Sequence, residues 1–329
     1  MKVDAPYVIG VIRHEEKGLL EEDEYVRLIE APTPEEAAHV LLDTPYGAWM
    51  NSNSGPREAM SALEERLVAL QKNLEENVDN QKLLYYIQTR YDALNIAGAF
   101  LLYSSGAKDA GELSRLGSIA PTVLQSVIWH NVDWEHVPLH WEEFLRQEKD
   151  AVHKDGAKIN KAKLLQRVHE KEMRVLNEMA VTDFSQMVAS LTSDRMWVDQ
   201  LLREQKIATA RTPLQNALAE NVKDPKGELD FQAFAKTLSE YGYKHFEAKD
   251  LEEVRMAKGG LNYDFAWDAR LIEELRTYTS DPVSLDAILA FWLAVEMEVK
   301  TVRLLLSGKS QRLDTQKLRK IQRPLYISN

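Results

Sequence analysis

The sequence predicts an all-α protein, and three observations support this fold class. Only 14 Gly and 11 Pro are spread over 329 residues, too few for a β protein dense in turns. Leu, Ala, Glu, Lys and Gln dominate instead, and these residues have high helix propensity. Apolar residues also recur at steps of three and four, the spacing of one helix face. The clearest such stripe consists of Met60, Leu63, Leu67, Leu70, Leu74 and Val78.

Individual helices follow from this periodicity in chain order. The segment 7–12 is compatible with a short strand. The stripe that begins at Met60 predicts a helix of about 20 residues after the turn signal Ser54-Gly55-Pro56. A second helix is expected at 81–103, before Ser104-Ser105-Gly106. Further helices are predicted at 161–179, 184–206, 211–222, 264–278 and 284–307, the last with Gly308 as its C-terminal cap.

A faint internal repeat runs through the predicted helices. A helix that is apolar, turns polar and becomes apolar again recurs from Thr89, from Leu202 and from Ala294. This alignment places Asp92 opposite Ile207 and Glu298, so the middle copy lacks the acid. Any three helices could match this well by chance, and the residues alone leave both interpretations open.

Composition and charge exclude several classes of protein. The chain has no Cys, which rules out disulfides, thiolate metal sites and cysteine nucleophiles and suits a reducing compartment. Its longest apolar run, 287–295, is far shorter than the roughly 20 residues that span a bilayer, so we expect a soluble, cytosolic protein. The net charge of −11 argues against nucleic acid or anionic membrane as the main partner. Residues 15–36 are strongly acidic and residues 300–329 strongly basic, either as solvated faces or as two docking surfaces.

Candidate catalytic and metal sites are weak. His130, His136, His140 and Glu143 lie close together in the sequence, but Pro138 separates the two central histidines and indicates a helix start between them. A metal-dependent hydrolase built on these residues is therefore a minor alternative. Gly308-Lys309-Ser310 resembles the end of a phosphate-binding loop, yet the required upstream glycine is Arg303. No catalytic residue, metal or cofactor is predicted.

Four groups of residues, in order along the chain, resemble a known family. These are YVIGVIR at 7–13, LLDTPYG at 41–47, RYDALN at 90–95 followed by LGSIAP at 116–121, and LAVEMEVK at 293–300 running into Ser307-Gly308-Lys309. Together they are similar to the C (or d) type of stalk protein in bacterial and archaeal V/A-type ATPases, which connects the rotor ring to the central stalk. The sequence departs from the family pattern in two places, Gln205-Lys206-Ile207-Ala208 in the middle repeat and a lengthened loop at 149–163.

The resemblance implies a single domain, 1–329, of three related helical units arranged as a funnel around a pseudo-threefold axis. The approximate units are 1–120, 121–225 and 226–329. It also implies a non-catalytic rotor subunit, a monomer in isolation and one copy per complex. This subunit would lie on the cytoplasmic side of the membrane proteolipid ring and receive the central shaft during H⁺ or Na⁺ transport. A stand-alone helical scaffold is the main alternative.

The same resemblance assigns provisional partner-binding residues. Each unit would contribute polar side chains to the wall of a central cavity, where water or the shaft compensates the cost of placing charges among apolar residues. The candidates are Arg90, Asp92 and Asn95 in the first unit and Glu296, Glu298 and Arg303 in the third. The basic segment from Lys309 to Arg323 would lie outside the cavity and face acidic partner surface. Within the helix, Glu296 and Glu298 could instead pair with Lys300 or Arg303.

Overall fold

The computed structural model describes residues 5–154, 160–204, 210, 212–223, 228–258, 260–279 and 284–326. The described residues form fifteen α-helices joined by short 3-10 and π turns, with no strand and one isolated bridge between Lys223 and Leu229. The prediction of an all-α fold is confirmed. The funnel and the three unit boundaries stay predictions.

The helices, numbered in chain order, are bounded by local signals. Pro34, Pro56, Pro121 and Pro213 each occupy the first helical position, where the missing N–H has no intrahelical partner to lose. The bounds are α1 Ala5–Glu16, α2 Glu22–Glu30, α3 Pro34–Val40, α4 Pro56–Asn77, α5 Gln81–Ser104, α6 Pro121–Gln125, α7 Leu139–Lys154, α8 Lys161–Met179, α9 Asp183–Glu204, α10 Pro213–Asn221, α11 Phe231–Glu240, α12 Ala248–Arg255, α13 Leu261–Leu275, α14 Leu285–Ser310 and α15 Thr315–Ile321.

Two local expectations are wrong. The segment 7–12 lies inside α1 and is not a strand, because Val8, Ile9 and Ile12 share one buried helix face. Helix α14 does not end at Gly308 but continues to Ser310. A Cβ on Gly308 would lie 2.7 Å from Leu318 Cδ2. This glycine therefore permits a close helix contact with α15 instead of ending α14.

The chain divides into two compact units. One consists mainly of Leu70–Ala189, and the other of Val3–Ala69 together with Ser190–Asn329. In the first unit α5 packs against α8, and their apolar faces enclose a core that includes Ile96, Phe100 and Leu164. In the second unit α14 is buried over most of its length and contacts α1, α2, α3, α13 and α15.

Residues 155–159, within the predicted insertion 149–163, lie outside the described residues, and 149–154 continue α7. The departure at Gln205–Ala208 also lies outside them.

Candidate functional site

Asp92 is a buried carboxylate in the middle of α5, with an exposed fraction of 1%. It accepts hydrogen bonds from Ser118 Oγ at 2.5 Å, from the Ile119 backbone N–H at 3.0 Å and from Trp141 Nε1 at 3.2 Å. Burial raises the pKa of Asp92 to about 6, although the three donors favour the ionised form and oppose this shift. Asp92 therefore anchors the segment before α6 and the start of α7 to α5.

The loop that Asp92 holds has a sequence suited to the contact. A Cβ on Gly117 would lie 2.4 Å from Asp92 Oδ1, so only glycine lets the backbone approach the carboxylate this closely. One turn further along α5, Asn95 accepts from the Ser114 N–H at 2.9 Å and donates to the Ser114 carbonyl at 2.8 Å. Asp92 and Asn95 thus fix both ends of residues 114–119. Arg90, on the same helix, is exposed.

Glu298 has the corresponding position on α14, with an exposed fraction of 6%. Its carboxylate accepts from the Leu20 backbone N–H at 2.5 Å and from Tyr46 Oη at 2.6 Å. Burial raises the pKa of Glu298, and the charge of Arg66 together with the two hydrogen bonds opposes the shift. Leu20 immediately precedes Glu21, the N-cap of α2, so Glu298 holds the start of that helix.

The other two residues predicted on α14, Glu296 and Arg303, are half-buried. Lys300 forms its ion pair with Asp268 of α13, at 2.6 Å, and Arg323 contacts the same carboxylate oxygen at 2.6 Å. Burial lowers the pKa of Lys300, and the Asp268 carboxylate opposes this shift. The ion pair that the sequence suggested between Lys300 and a glutamate of its own helix is therefore directed to α13 instead.

A third buried carboxylate, Asp194 on α9, was missed by sequence reasoning. Its exposed fraction is 5%, and it accepts from Thr212 Oγ1 at 2.5 Å, from Gln215 Nε2 at 3.0 Å and from Tyr243 Oη at 2.9 Å. Burial raises the pKa of Asp194, and its three hydrogen bonds oppose the shift. Thr212 is the N-cap of α10.

The three carboxylates share one hydrogen-bonding pattern. Each lies on a long helix, accepts a bond where a shorter helix begins, and accepts another from an aromatic side chain. The aromatic donor is 49 residues after the acid for both Asp92 and Asp194. The sequence alignment placed the middle position at Ile207, which lies outside the described residues, whereas Asp194 has the equivalent contacts. The signal that could have found it is Thr212-Pro213, which follows Asp194 much as Ala120-Pro121 follows Asp92.

This pattern decides what the carboxylates do chemically. Asp92 and Glu298 were predicted to be hydrated in the wall of a cavity, but protein N–H and O–H groups of their own compact units satisfy both. A buried acceptor with such donors positions loops and is poorly available to a partner. Their role in partner binding stays a prediction.

The comparison with protein families agrees with this region of the chain. Residues 8–128 match the model of the ATP synthase (C/AC39) subunit family. The match contains Asp92, Asn95 and the loop that they hold. The resemblance predicted from the sequence is confirmed over these residues. The search of curated proteins found no match to the chain.

The acidic and basic segments, predicted to be separate surfaces, contact each other in the second unit. Lys309 Nζ donates to the carbonyls of Ile29 and Ala31, each at 2.5 Å, at the C-terminal end of α2. Arg319 of α15 pairs with Glu30 at 2.9 Å. The cation at a helix C-terminus and the ion pair are both favourable, so part of the basic segment stabilises the fold. Lys309 is a helix-capping residue here and lies in no phosphate-binding loop.

The histidine group is divided by the chain as Pro138 indicated. His136 ends an exposed 3-10 turn, whereas His140 lies inside α7 with its ring 4.7 Å from that of Tyr85. Burial, assisted by the charge of Lys171, lowers the pKa of His140 to about 4. No group of three or more metal-ligating side chains is arranged to hold an ion among the residues that the structure describes. In that same part of the chain, no helix has both the length and the apolar character needed to cross a membrane.

Proposed function

We propose that this chain is a non-catalytic subunit of a rotary V/A-type ATPase, which couples the central shaft to the membrane proteolipid ring. In this role it supports ATP-driven or ATP-producing transport of H⁺ or Na⁺. The family match over residues 8–128 carries the proposal. The partners are the shaft subunits and the ring, and the chain attaches to the cytoplasmic side of the membrane through that ring.

Mechanical coupling requires a body that resists deformation. Close-packed helices have low compressibility, and an anchored loop cannot shift without breaking buried hydrogen bonds that are costly to leave unmade. Asp92, Asp194 and Glu298 each fix the start of a helix in this way. Their repeated pattern also supports three related units arranged as a funnel.

Among the residues predicted to bind partners, the accessible ones are the best test positions. Arg90 is exposed and Arg303 is half-buried, whereas lysine at Asp92 or Glu298 would bury a charge and endanger the fold. We assign Arg90, Glu296 and Arg303 to direct partner contact. Asp92, Asn95 and Glu298 position the elements behind them.

The experiment is affinity purification of the tagged full chain from solubilised membranes of its native host, with identification of bound proteins by mass spectrometry. We expect the shaft and ring subunits of a V/A-type ATPase. Recovery of the folded chain without any ATPase subunit would overturn the proposal in favour of a stand-alone scaffold.

Charge reversal then tests the contact residues separately. The double variant Arg90→Glu/Arg303→Glu should recover less of the shaft subunits than wild type, while the matched variant Arg57→Glu, at an exposed position of α4, should not. Equal recovery from the double variant would remove these contact residues and leave the family assignment intact.

A further inference from the structure

The first compact unit contains an open cleft of about 530 Å³. The N-terminal half of α5, the backbone at 117–118 and the turn at 135–138 form its walls, and Glu75 at the end of α4 closes one side. A volume of this size is within the range of small-ligand pockets, roughly 300–1,000 Å³. The cleft can therefore hold one long side chain of another polypeptide.

Two carboxylates give the cleft negative charge. Glu75 Oε1 accepts from Gln71 Nε2 at 2.8 Å and from Gln88 Nε2 at 2.7 Å. Gln88 is buried, with an exposed fraction of 6%, so it fixes the direction of the Glu75 carboxylate. Both donors are neutral amides, and no cation among the described residues pairs with Glu75. Glu135 lines the cleft at the turn, where its Oε1 lies 4.0 Å from the His136 ring nitrogen.

An exposed apolar residue lies at the rim of the cleft. Leu139, the first residue of α7, has an exposed fraction of 87%, and it directly follows Pro138, which lines the cleft. A buried polar anchor beside apolar surface is the common anatomy of a protein interface. An acidic cleft with an apolar rim is complementary to a basic side chain flanked by an apolar one.

We propose that this cleft is a docking site for a partner polypeptide, which inserts an arginine side chain between Glu75 and Glu135 and packs an apolar side chain on Leu139. Arginine suits the site because its planar guanidinium presents five N–H donors and can bridge two carboxylates. The inference is independent of which complex the chain joins, since it depends only on the cleft. It goes beyond the proposed function by stating the chemistry of the partner.

The test uses the full-length ¹⁵N-labelled chain and two synthetic peptides. The probe is acetyl-Leu-Arg-Leu-amide, and its control replaces arginine with citrulline, which has nearly the same shape without the charge. We expect the arginine peptide to cause saturable NMR shifts at the amides of Gln88 and Ser118. The citrulline peptide should bind more weakly by roughly fivefold or more, the size of an exposed ion pair.

Variants separate the cleft from general attraction to an acidic protein. The double variant Glu75→Gln/Glu135→Gln should weaken binding of the arginine peptide by roughly fivefold or more. The matched control Glu76→Gln, an exposed neighbour on α4, should change it little. Leu139→Ser should also reduce affinity, because it removes the exposed apolar contact without disturbing a buried side chain.

Three results would overturn the proposal. One is the absence of saturable shifts at the cleft in the wild-type chain. Another is equal binding of the arginine and citrulline peptides, or of wild type and the Glu75→Gln/Glu135→Gln variant. The third is binding of guanidinium ion or spermidine as strong as that of the peptide and unchanged by Leu139→Ser, which would make the cleft a site for small cations.

Discussion

Replacing Asp92 by asparagine changes one buried acceptor in the anchor between α5 and the segment before α6. In wild type, one carboxylate oxygen accepts from the Ile119 N–H, and the other accepts from Ser118 Oγ and Trp141 Nε1. Asparagine has one acceptor oxygen and one amide group. Whichever way the amide is turned, one buried N–H of Ile119 or Trp141 faces another donor.

The size of the effect follows from the hydrogen bonds and from the pKa. An orphaned buried donor costs about 1–3 kcal/mol of unfolding free energy relative to the protonated carboxyl. The ionised carboxyl has its own cost, since burial raises the pKa of Asp92 from 3.8 to about 6. At 1.36 kcal/mol for each pKa unit, this shift corresponds to about 3 kcal/mol.

The sign of the pH dependence is fixed by the direction of the shift. Because the folded pKa of Asp92 is raised, the folded chain binds this proton more tightly than the unfolded chain. The stability from Asp92 is fully present below the unfolded value of 3.8 and is lost as pH rises through about 6. Between about pH 5 and about pH 7.5, wild type should lose about 1.4 kcal/mol through this group. Asp92→Asn does not titrate, so its deficit should shrink by that amount.

The assay is urea unfolding of wild type and Asp92→Asn at several pH values, with amide hydrogen exchange at Ile119 as a local measure for the first unit. Subtracting the two stability curves removes the other titrating groups. The control is Asp43→Asn, whose side chain has an exposed fraction of 78% and whose difference curve should be flat. A flat difference curve for Asp92→Asn would refute the argument that burial dominates this carboxyl.

Two further predictions test the anchors through other atoms. Gly117→Ala should lower the unfolding free energy by about 1–3 kcal/mol in urea titration, because its Cβ would displace the loop from Asp92. Gly98→Ala should be neutral or stabilising by up to about 1 kcal/mol, because its Cβ meets only one side-chain atom, at 4.0 Å, and equal losses from the two alanines would contradict this. Glu298→Gln should cost about 1–3 kcal/mol by the same assay, and more than Tyr46→Phe, which removes only one of its donors; a smaller loss would mean that the backbone contact contributes little.

The sequence by itself determined the fold class and most of the long helices. The stripe from Met60 to Val78 and the apolar content of 284–307 each predicted a helix that the structure contains as α4 and α14. Helix formation depends on residues three and four positions apart, so the information is local. Shorter helices such as α2, α11 and α15 were not predicted, since two turns provide too few repeats of the pattern.

The family resemblance was also available from the sequence, because it rests on ordered groups of residues. Asp92 and Glu298 were singled out as acids among apolar helix residues, which is a local observation. Their surroundings were predicted incorrectly as hydrated. A charge in an apolar helix needs either water or donors, and nothing within the helix indicates which of the two it meets.

Only the tertiary structure decided which partners these groups have. Glu298 accepts from Leu20, which is 278 residues away, and Lys309 caps α2 through Ala31, also 278 residues away. Asp194 became recognisable as the third anchor only when its bonds to Thr212 and Tyr243 were known. Such contacts depend on how helices pack, and packing brings together positions whose separation in the chain leaves no periodic signal. Local propensity therefore specified the helices, while long-range packing selected the donor for each buried acid.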